Sequence, residues 1–240
     1  MIEVFDFEAT GLGDPKATQI GKCRLDKKYQ LIKSTCKSAY INPEKDITWG
    51  AMGITGITNE MVANKPTIDK VLPKFKTHPS TKYIVCHNMS FDEKFFPEGF
   101  VPDDVKLLCT LKLARKLIPK GESGDHKNTT LFYYLGCYKD PFGKEFIGDA
   151  HSSLPDALMT ANVLVAMLEK YNLTVDEAYA LIAPKVNNIE VCDFNKYKDQ
   201  GKKWADLVQE DLSYVQWLLA NVKWNDEKEQ AFVESLIKES

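Results

Sequence analysis

The first hydrophobic and polar alternation in the chain lies at its start. Ile2 to Glu8 reads as a strand in which Phe5 and Phe7 point one way and Asp6 and Glu8 the other. It ends at Thr10-Gly11-Leu12-Gly13-Asp14-Pro15, a dense turn signal. Gln19 to Cys23 and Tyr29 to Ile32 read as two further strands, with Asp26-Lys27-Lys28 as the turn between them, so an antiparallel meander is expected. Helical patches follow. Thr58 to Ala63 is short, and Thr67 to Lys76 carries apolar residues at Ile68, Val71, Leu72 and Phe75, the spacing of one helix face. Tyr83 to Cys86 reads as a buried strand. Ser90 and Glu93 form an S-x-x-E capping signature, which predicts a short helix from near Phe91 that stops before Pro97. Cys109 to Leu117 reads as a helix and Pro119 to Thr130 as an exposed polar loop. The strongest helix signal runs from Leu154 to Tyr171, with Pro155 in its first turn and Ala157, Leu158, Ala161, Leu164, Val165 and Leu168 on one face.

Strands first, then strands and helices mixed, predict an α/β domain over residues 1–175. Residues 176–240 are expected to form a linker and a small, mainly helical C-terminal module beginning after Pro184. Three of the four tryptophans (Trp204, Trp217, Trp224) fall in that tail. There, Lys196, Lys198, Lys202 and Lys203 interleave with Tyr197 and Trp204, a mixture suited to a single nucleic-acid strand. The same stretch also has the pattern of a small core, through Trp204, Leu207 and Val208 and then Val215, Leu218, Leu219 and Val222. Trp204 and Trp217 are expected inside, with Tyr197 and the lysines outside.

Composition narrows the class. Hydrophobic residues make up 44% of the 240 positions and charged residues 27%, which excludes wholesale disorder. The formal charge of −3 argues against coating duplex DNA by charge alone. Six cysteines (Cys23, Cys36, Cys86, Cys109, Cys137, Cys192) form no C-x-x-C pair and sit mostly in apolar runs. They are expected to be reduced, with no disulfide-linked partner. The first residues lack the basic and apolar regions of a signal peptide, and Val163 to Leu168 is among the longest apolar runs. A cytoplasmic protein without a membrane contact is therefore expected.

The chemistry lies in the acids. Asp6 and Glu8 share one face of a strand, with Cα atoms roughly 6–7 Å apart. Two such carboxylates repel, and a divalent cation removes that cost because carboxylate oxygen is the preferred ligand of Mg²⁺ and Mn²⁺. Taken alone, the pair fits surface acids on an edge strand better than a metal site. Asp92 and Asp156 each suit the first turn of a helix, where an acid is favoured by the dipole. His151 precedes Asp156 by five residues, and a histidine beside metal-bound acids can take a proton near neutral pH.

Together these residues resemble the DEDDh 3′→5′ exonucleases of the ribonuclease H-like fold. Asp6-Phe7-Glu8-Ala9-Thr10-Gly11-Leu12 is similar to the family's first motif, His87-Asn88-Met89-Ser90-Phe91-Asp92 to its second, and His151 through Asp156 to its third. Gly53 to Thr58 resembles a further H-G-I-T region, with Thr55 where histidine is common and Gly56 beside it. Phe7 stands where the family usually has threonine, Asp199-Gln200 interrupts the usual Lys-Tyr-Lys-Gly run, and the loop from Pro119 to Thr130 is long for the family. Phe194 to Lys198 and Tyr214 to Leu218 resemble the small C-terminal region of one member.

The resemblance implies a mixed sheet flanked by helices and a two-metal phosphodiester hydrolase acting on nucleic acid. The expected substrate is single-stranded DNA or a duplex 3′ end, with RNA or short oligonucleotides, or a non-catalytic nucleic-acid-binding role, as the alternatives. It implies two Mg²⁺ ions, replaceable by Mn²⁺, on Asp6, Glu8, Asp92 and Asp156. Two such ions would shift the charge from −3 to +1. His151 is the implied general base, with His87 as a rival because it also stands five residues before an aspartate. Ala9, Thr10, Gly11, Leu12, Thr55, Gly56, His87, Asn88 and Phe91 are the implied substrate contacts, Leu12 as an apolar wedge between bases.

Overall fold

A computed structural model describes residues 1–139, 152–183, 189–192, 194–197, 200–224 and 227–239. They fall into two units, Met1–Ala183 and Pro184–Ser240. The first unit is built on a five-stranded sheet of order β3-β2-β1-β4-β5. Its strands are β1 (Ile2–Ala9), β2 (Ala17–Leu25), β3 (Lys37–Tyr40), β4 (Tyr83–Cys86) and β5 (Lys106–Cys109). β2 runs antiparallel to both β1 and β3, while β4 is parallel to β1 and β5. The sheet is therefore mixed, with β1 at its centre.

Two-residue periodicity divides the core. Ile2 and Val4 of β1 join Cys23 and Leu25 of β2 in a cluster under the long helix Ser153–Lys170. Phe5 and Phe7 face the other side and pack with Ile20, Phe75 and Phe95. Each of these fully buried side chains contributes roughly 1.5–3 kcal/mol relative to exposure. Asp6 and Glu8 continue the line of Ile2 and Val4, so the acids stand on the face that carries the long helix.

The helices of this unit are α1 (Trp49–Thr55), α2 (Asn59–Val62), α3 (Ile68–Val71), α4 (Met89–Asp92), α5 (Thr110–Leu117), α6 (Lys120–Ser123), α7 (Asn128–Tyr134), α8 (Ser153–Lys170) and α9 (Val175–Ile182). α8 is buried over more of its circumference than one stripe. Met159, Thr160, Val163 and Met167 are buried along with the expected face, whereas Val165 is only half-buried.

Several elements differ from the pattern reading. Tyr29 to Ile32 is not a strand: Asp26 Oδ1 accepts the N–H groups of Lys28 and Gln30, and Tyr29 has φ of 61°. A single bridge at Leu31 and a 3₁₀ turn at Lys33–Thr35 follow, and the third strand begins only at Lys37. Tyr29 is instead an anchor, its hydroxyl accepting the Val175 N–H at 3.2 Å. The Thr67–Lys76 helix breaks after one turn into a 3₁₀ segment, Leu72–Phe75, because Pro73 removes a donor. Ser90 does not cap α4. Asn88, in the left-handed region at φ 70°, starts that helix, and Ser90 lies inside it and donates to Asn88 Oδ1. Pro119 to Thr130 is not an open loop, since it holds α6 and the start of α7. α1 and α9 had no pattern prediction. α9 lies beyond the expected edge near residue 175 and belongs to the first unit, where Tyr179 packs its ring 5.9 Å from that of Tyr83.

The second unit is a small helical body of α10 (Trp204–Glu210), α11 (Leu212–Asn221) and α12 (Glu227–Glu239). Trp204 is completely buried, packs at a tilt against Phe194 and Trp224, and donates its indole N–H to Glu229 at 3.0 Å. Trp217 is not inside as expected: it is 53% exposed, with its ring parallel to that of Tyr214. Tyr197 is half-buried. Lys196 pairs with Asp211 and Lys202 with Glu210, so neither ammonium is unpartnered. Lys198 lies outside the described residues. The cysteines are free thiols, buried except for half-buried Cys36. No helix among the described residues is long and apolar enough to cross a membrane.

Candidate active site

Strand β1 sets the first two acids, and β2 decides what can approach them. Gly21 pairs with Asp6 and Gln19 with Glu8 across the antiparallel ladder. Gly21 offers no side chain, and the start of α8 presses into that space. A Cβ built at position 21 would stand 2.2 Å from the Ser153 carbonyl. Gln19 takes over the capping of α8. Its Oε1 accepts the Ser153 N–H at 2.9 Å and the Ser152 hydroxyl at 3.2 Å, while Ser152 makes no side-chain cap of its own. Held there, α8 brings Asp156, in its first turn, to the strand acids. Oxygens of Asp6, Glu8 and Asp156 all lie within 4.8 Å of one another.

Asp92 arrives from another direction. β4 pairs with β1 only as far as Val4, which leaves the later β1 backbone without a strand on that side. Asp92, almost fully buried at the end of α4, meets the need: its Oδ1 accepts the Phe7 N–H at 3.0 Å. Asp92 is not among the three acids that converge within 4.8 Å, although its charge reaches Asp6.

The electrostatics follow from packing acids together in a half-dry place. Burial, then the charges of Asp92, Asp156 and Glu8, push the Asp6 carboxyl well above the usual carboxylate range. Burial and the Asp156 charge raise Glu8 to about 7. Burial raises Asp92 as well, opposed by its bond from Phe7. A cluster of hard carboxylate donors is what a divalent cation would neutralise.

His87 and Asn88, at the end of β4, line the same cleft of about 600 Å³ as Asp6, Glu8 and Asp156. Both ring nitrogens of His87 are engaged. Nδ1 is 2.9 Å from the Thr110 hydroxyl, and Nε2 is 3.0 Å from the His126 carbonyl, which it must reach as a donor. Burial pushes its pKa down to about 4. A neutral ring with no free nitrogen is a brace and not a proton acceptor. The other candidate base, His151, lies outside the described residues.

The remaining expected contacts divide. Ala9 and Thr10 are buried at the strand end, where Thr10 accepts the Lys16 N–H on its hydroxyl and the Thr48 N–H on its carbonyl. Gly11 has φ of 147°, and a Cβ there would press on Thr48 at 3.0 Å. Leu12 projects from this turn, 88% exposed. Trp49, which follows Thr48, is also almost wholly exposed. Thr55 spends its hydroxyl on the Ala51 carbonyl and the Ile57 N–H, and Gly56 is the left-handed cap of α1. Phe91 packs edge-on against Phe95. Leu12, Thr55, Gly56 and Phe91 do not line the acid cleft.

The RNase_T family model, described as Exonuclease, matches residues 4–164. The chain belongs to this exonuclease family. Divalent-metal dependence is general to the family, in keeping with the clustered acids. Exodeoxyribonuclease 10 of Escherichia coli strain K12 is 31% identical over 186 residues, 77% of each chain. The DNA polymerase III subunit epsilon of Aquifex aeolicus is 32% identical over 185 residues, 74% of this chain and 86% of that one. Among solved structures, exonuclease X in complex with 5′ overhanging duplex DNA superposes with a TM-score of 0.61 at 28% identity. That match covers 76% of this chain and all of the other. In this exonuclease the matched stretch takes in most of the strand that carries Asp6 and Glu8 and most of the helix that carries Asp156.

Pattern reasoning missed Gln19, Gly21, Arg115, Lys120, His126 and Asn128. A glycine inside an apolar strand is a usable sign of close backbone approach, and Gly21 carried it. Lys120, His126 and Asn128 sit in a polar stretch with no periodicity to read, while Gln19 and Arg115 lie in a predicted strand and a predicted helix whose pattern says nothing of their partners.

Proposed function

We propose that the chain is a metal-dependent 3′→5′ exonuclease that releases nucleoside 5′-monophosphates from the 3′ end of DNA, with two Mg²⁺ as the working ions and Mn²⁺ able to replace them. The observation that carries this reading is the meeting of Asp6, Glu8 and Asp156 within 4.8 Å at the floor of an open cleft. DNA is favoured over RNA because the relatives matched over most of their length are an exodeoxyribonuclease and a DNA polymerase subunit.

Asp6, Glu8 and Asp156 would hold the ions, with Asp92 alongside. Bound there, divalent cations would acidify the attacking water and take up charge on the departing 3′ oxygen. The protein's own part is to fix the oxygens before substrate arrives. β1 does this for Asp6 and Glu8, Gln19 and Gly21 for Asp156, and the Phe7 N–H for Asp92. His151 would take the proton from water, a role supported by the third-motif resemblance and by the full engagement of His87. Leu12 and Trp49 offer exposed apolar surface beside the Thr10 turn, suited to nucleobases. In the second unit we propose a strand contact through the parallel rings of Tyr214 and Trp217, with the Lys196 ammonium 5.4 Å from the Tyr214 ring.

The test is incubation with 5′-end-labelled single-stranded DNA, recessed and overhanging duplexes, and RNA, in Mg²⁺, Mn²⁺ or EDTA. A ladder shortening from the 3′ end of DNA in either metal and none in EDTA is expected. Asp6→Asn should lower the rate at least about 10³-fold, and His151→Ala should do so far more than His87→Ala. Internal cuts, or no shortening in either metal, would overturn the assignment.

A further inference from the structure

The cleft has two walls of opposite charge. Asp6, Glu8 and Asp156 make one. The other comes from the segment between α5 and α7, where Arg115 ends α5, Lys120 begins α6 and Lys127 precedes α7. Against these three cations stands one acid on the same wall, Asp125. It is occupied in the local turn by the Lys127 N–H at 3.0 Å, with the Lys127 ammonium 3.9 Å away. Among the described residues, Arg115 and Lys120 have no ion-pair partner. Arg115 lines the cleft together with His87, and its charge reaches that ring.

This wall is fastened down. His126 donates Nε2–H to the Ile118 carbonyl at 2.9 Å, and its own carbonyl receives His87 at 3.0 Å. Asn128 donates to the carbonyl of Asp156 at 3.2 Å and to the Thr160 hydroxyl at 2.9 Å. One end of the segment is thus tied to the tip of β4 and the other to the residue that joins the acid cluster. The backbone that carries the cations is therefore held at the cleft that the acids also line.

Resting on the nuclease reading above, we infer that Arg115, Lys120 and Lys127 form a subsite for a non-reacting phosphodiester of the substrate strand, next to the one cleaved at the acids. The ligand class is a nucleic-acid backbone phosphate. Arginine meets it with a planar fork and lysine with a point charge. A phosphate that does not react is held alike in ground and transition states, so the subsite acts on strand affinity and KM more than on kcat.

The experiment uses the full chain carrying Asp6→Asn, which removes turnover, and measures fluorescence anisotropy of a labelled single-stranded oligonucleotide over a range of NaCl. Adding Arg115→Gln and Lys120→Gln should weaken binding about tenfold or more. It should also lower the slope of log K against log salt by about 0.7 for each phosphate that is no longer neutralised. Arg115→Lys with Lys120→Arg should restore most of both. In the turnover-competent background, the ratio of kcat/KM on an oligonucleotide to that on the p-nitrophenyl ester of thymidine 5′-monophosphate should fall at least fivefold. Unchanged affinity and salt slope, or equal losses on both substrates, would overturn the subsite. A wild-type chain that binds DNA with this salt dependence but shortens none would overturn the nuclease reading and leave the subsite standing.

Discussion

Gly21 and Ser153 touch backbone to backbone: a single added carbon at Gly21 would lie 2.2 Å from the Ser153 carbonyl, a distance no packed structure tolerates. The contact sits directly across the ladder from Asp6. Gly21→Ala must therefore move the start of α8, and Asp156 moves with it. We expect a loss of about 1–3 kcal/mol from overpacking and a larger proportional loss of kcat than of stability. Thermal denaturation and steady-state kinetics on the same sample separate the two. Retained kcat would mean that Asp156 does not depend on this contact.

Glu8 titrates in the folded protein at about 7, above its ordinary 4.5. Between those values the folded chain binds a proton that the unfolded chain has released, so stability falls as pH rises through the window. In chelator, Glu8→Gln should gain on the order of 2 kcal/mol over wild type at pH 8 and nothing at pH 4. Divalent cation should stabilise wild type at pH 8 and stabilise the variant less. Melting curves at the two pH values, with EDTA and with Mg²⁺, check all three expectations.

His87 shifts the other way, to about 4 from 6.5. Below 6.5 the unfolded chain takes up a proton that the folded ring refuses, so this group's stability is lost as pH falls toward 4. Glu8 opposes it over part of the same range, so the comparison is wild type against His87→Gln at each pH. The stability difference between them should shrink from pH 7 to pH 5. Urea denaturation measures it, and a constant difference would mean that the ring protonates freely.

Glu3 and Lys22 form a buried ion pair at 2.8 Å on the sheet face away from Asp6 and Glu8. The ammonium also donates to the Phe75 and Lys76 carbonyls at 3.1 and 2.9 Å. Glu3→Leu alone should cost about 3–5 kcal/mol, because it strands a buried charge. Glu3→Leu with Lys22→Met should recover most of that. A double variant as unstable as the single one would show that the pair contributes more than mutual neutralisation.

Trp217 tests the second unit. Replacing it with alanine should lower affinity for single-stranded DNA by about 1–3 kcal/mol if one base stacks on it. Quenching of the exposed indole by oligonucleotide in the full chain gives a direct readout. Unchanged affinity together with unquenched fluorescence would remove this unit from the substrate path.

Much of this architecture was legible in residue pattern. Tyr83–Cys86 appears with the expected ends, and the β1 alternation places Phe5 and Phe7 in one core and Asp6 and Glu8 outside it, because a strand's two faces follow from a period of two. Tyr29 and Trp217 were misread for a common reason. Each is a large aromatic in an apolar stretch, and pattern cannot tell a side chain that joins a core from one that anchors a neighbouring helix or stays in solvent. Gln19 and Asn128 were invisible because their partners, a main-chain group and a hydroxyl in each case, lie more than one hundred, and about thirty, residues away. Asp92 was legible as an acid but not in its posture, which is set by an N–H that β4 leaves without a strand partner.

That posture limits what Asp92 can offer. With Oδ1 already accepting the Phe7 amide, that oxygen keeps one lone pair while Oδ2 keeps both, so Oδ2 is the less encumbered ligand atom. A rotation of the carboxylate that withdrew Oδ1 would leave the Phe7 N–H without its acceptor in a buried place, so the bond to the main chain restrains how the acid turns.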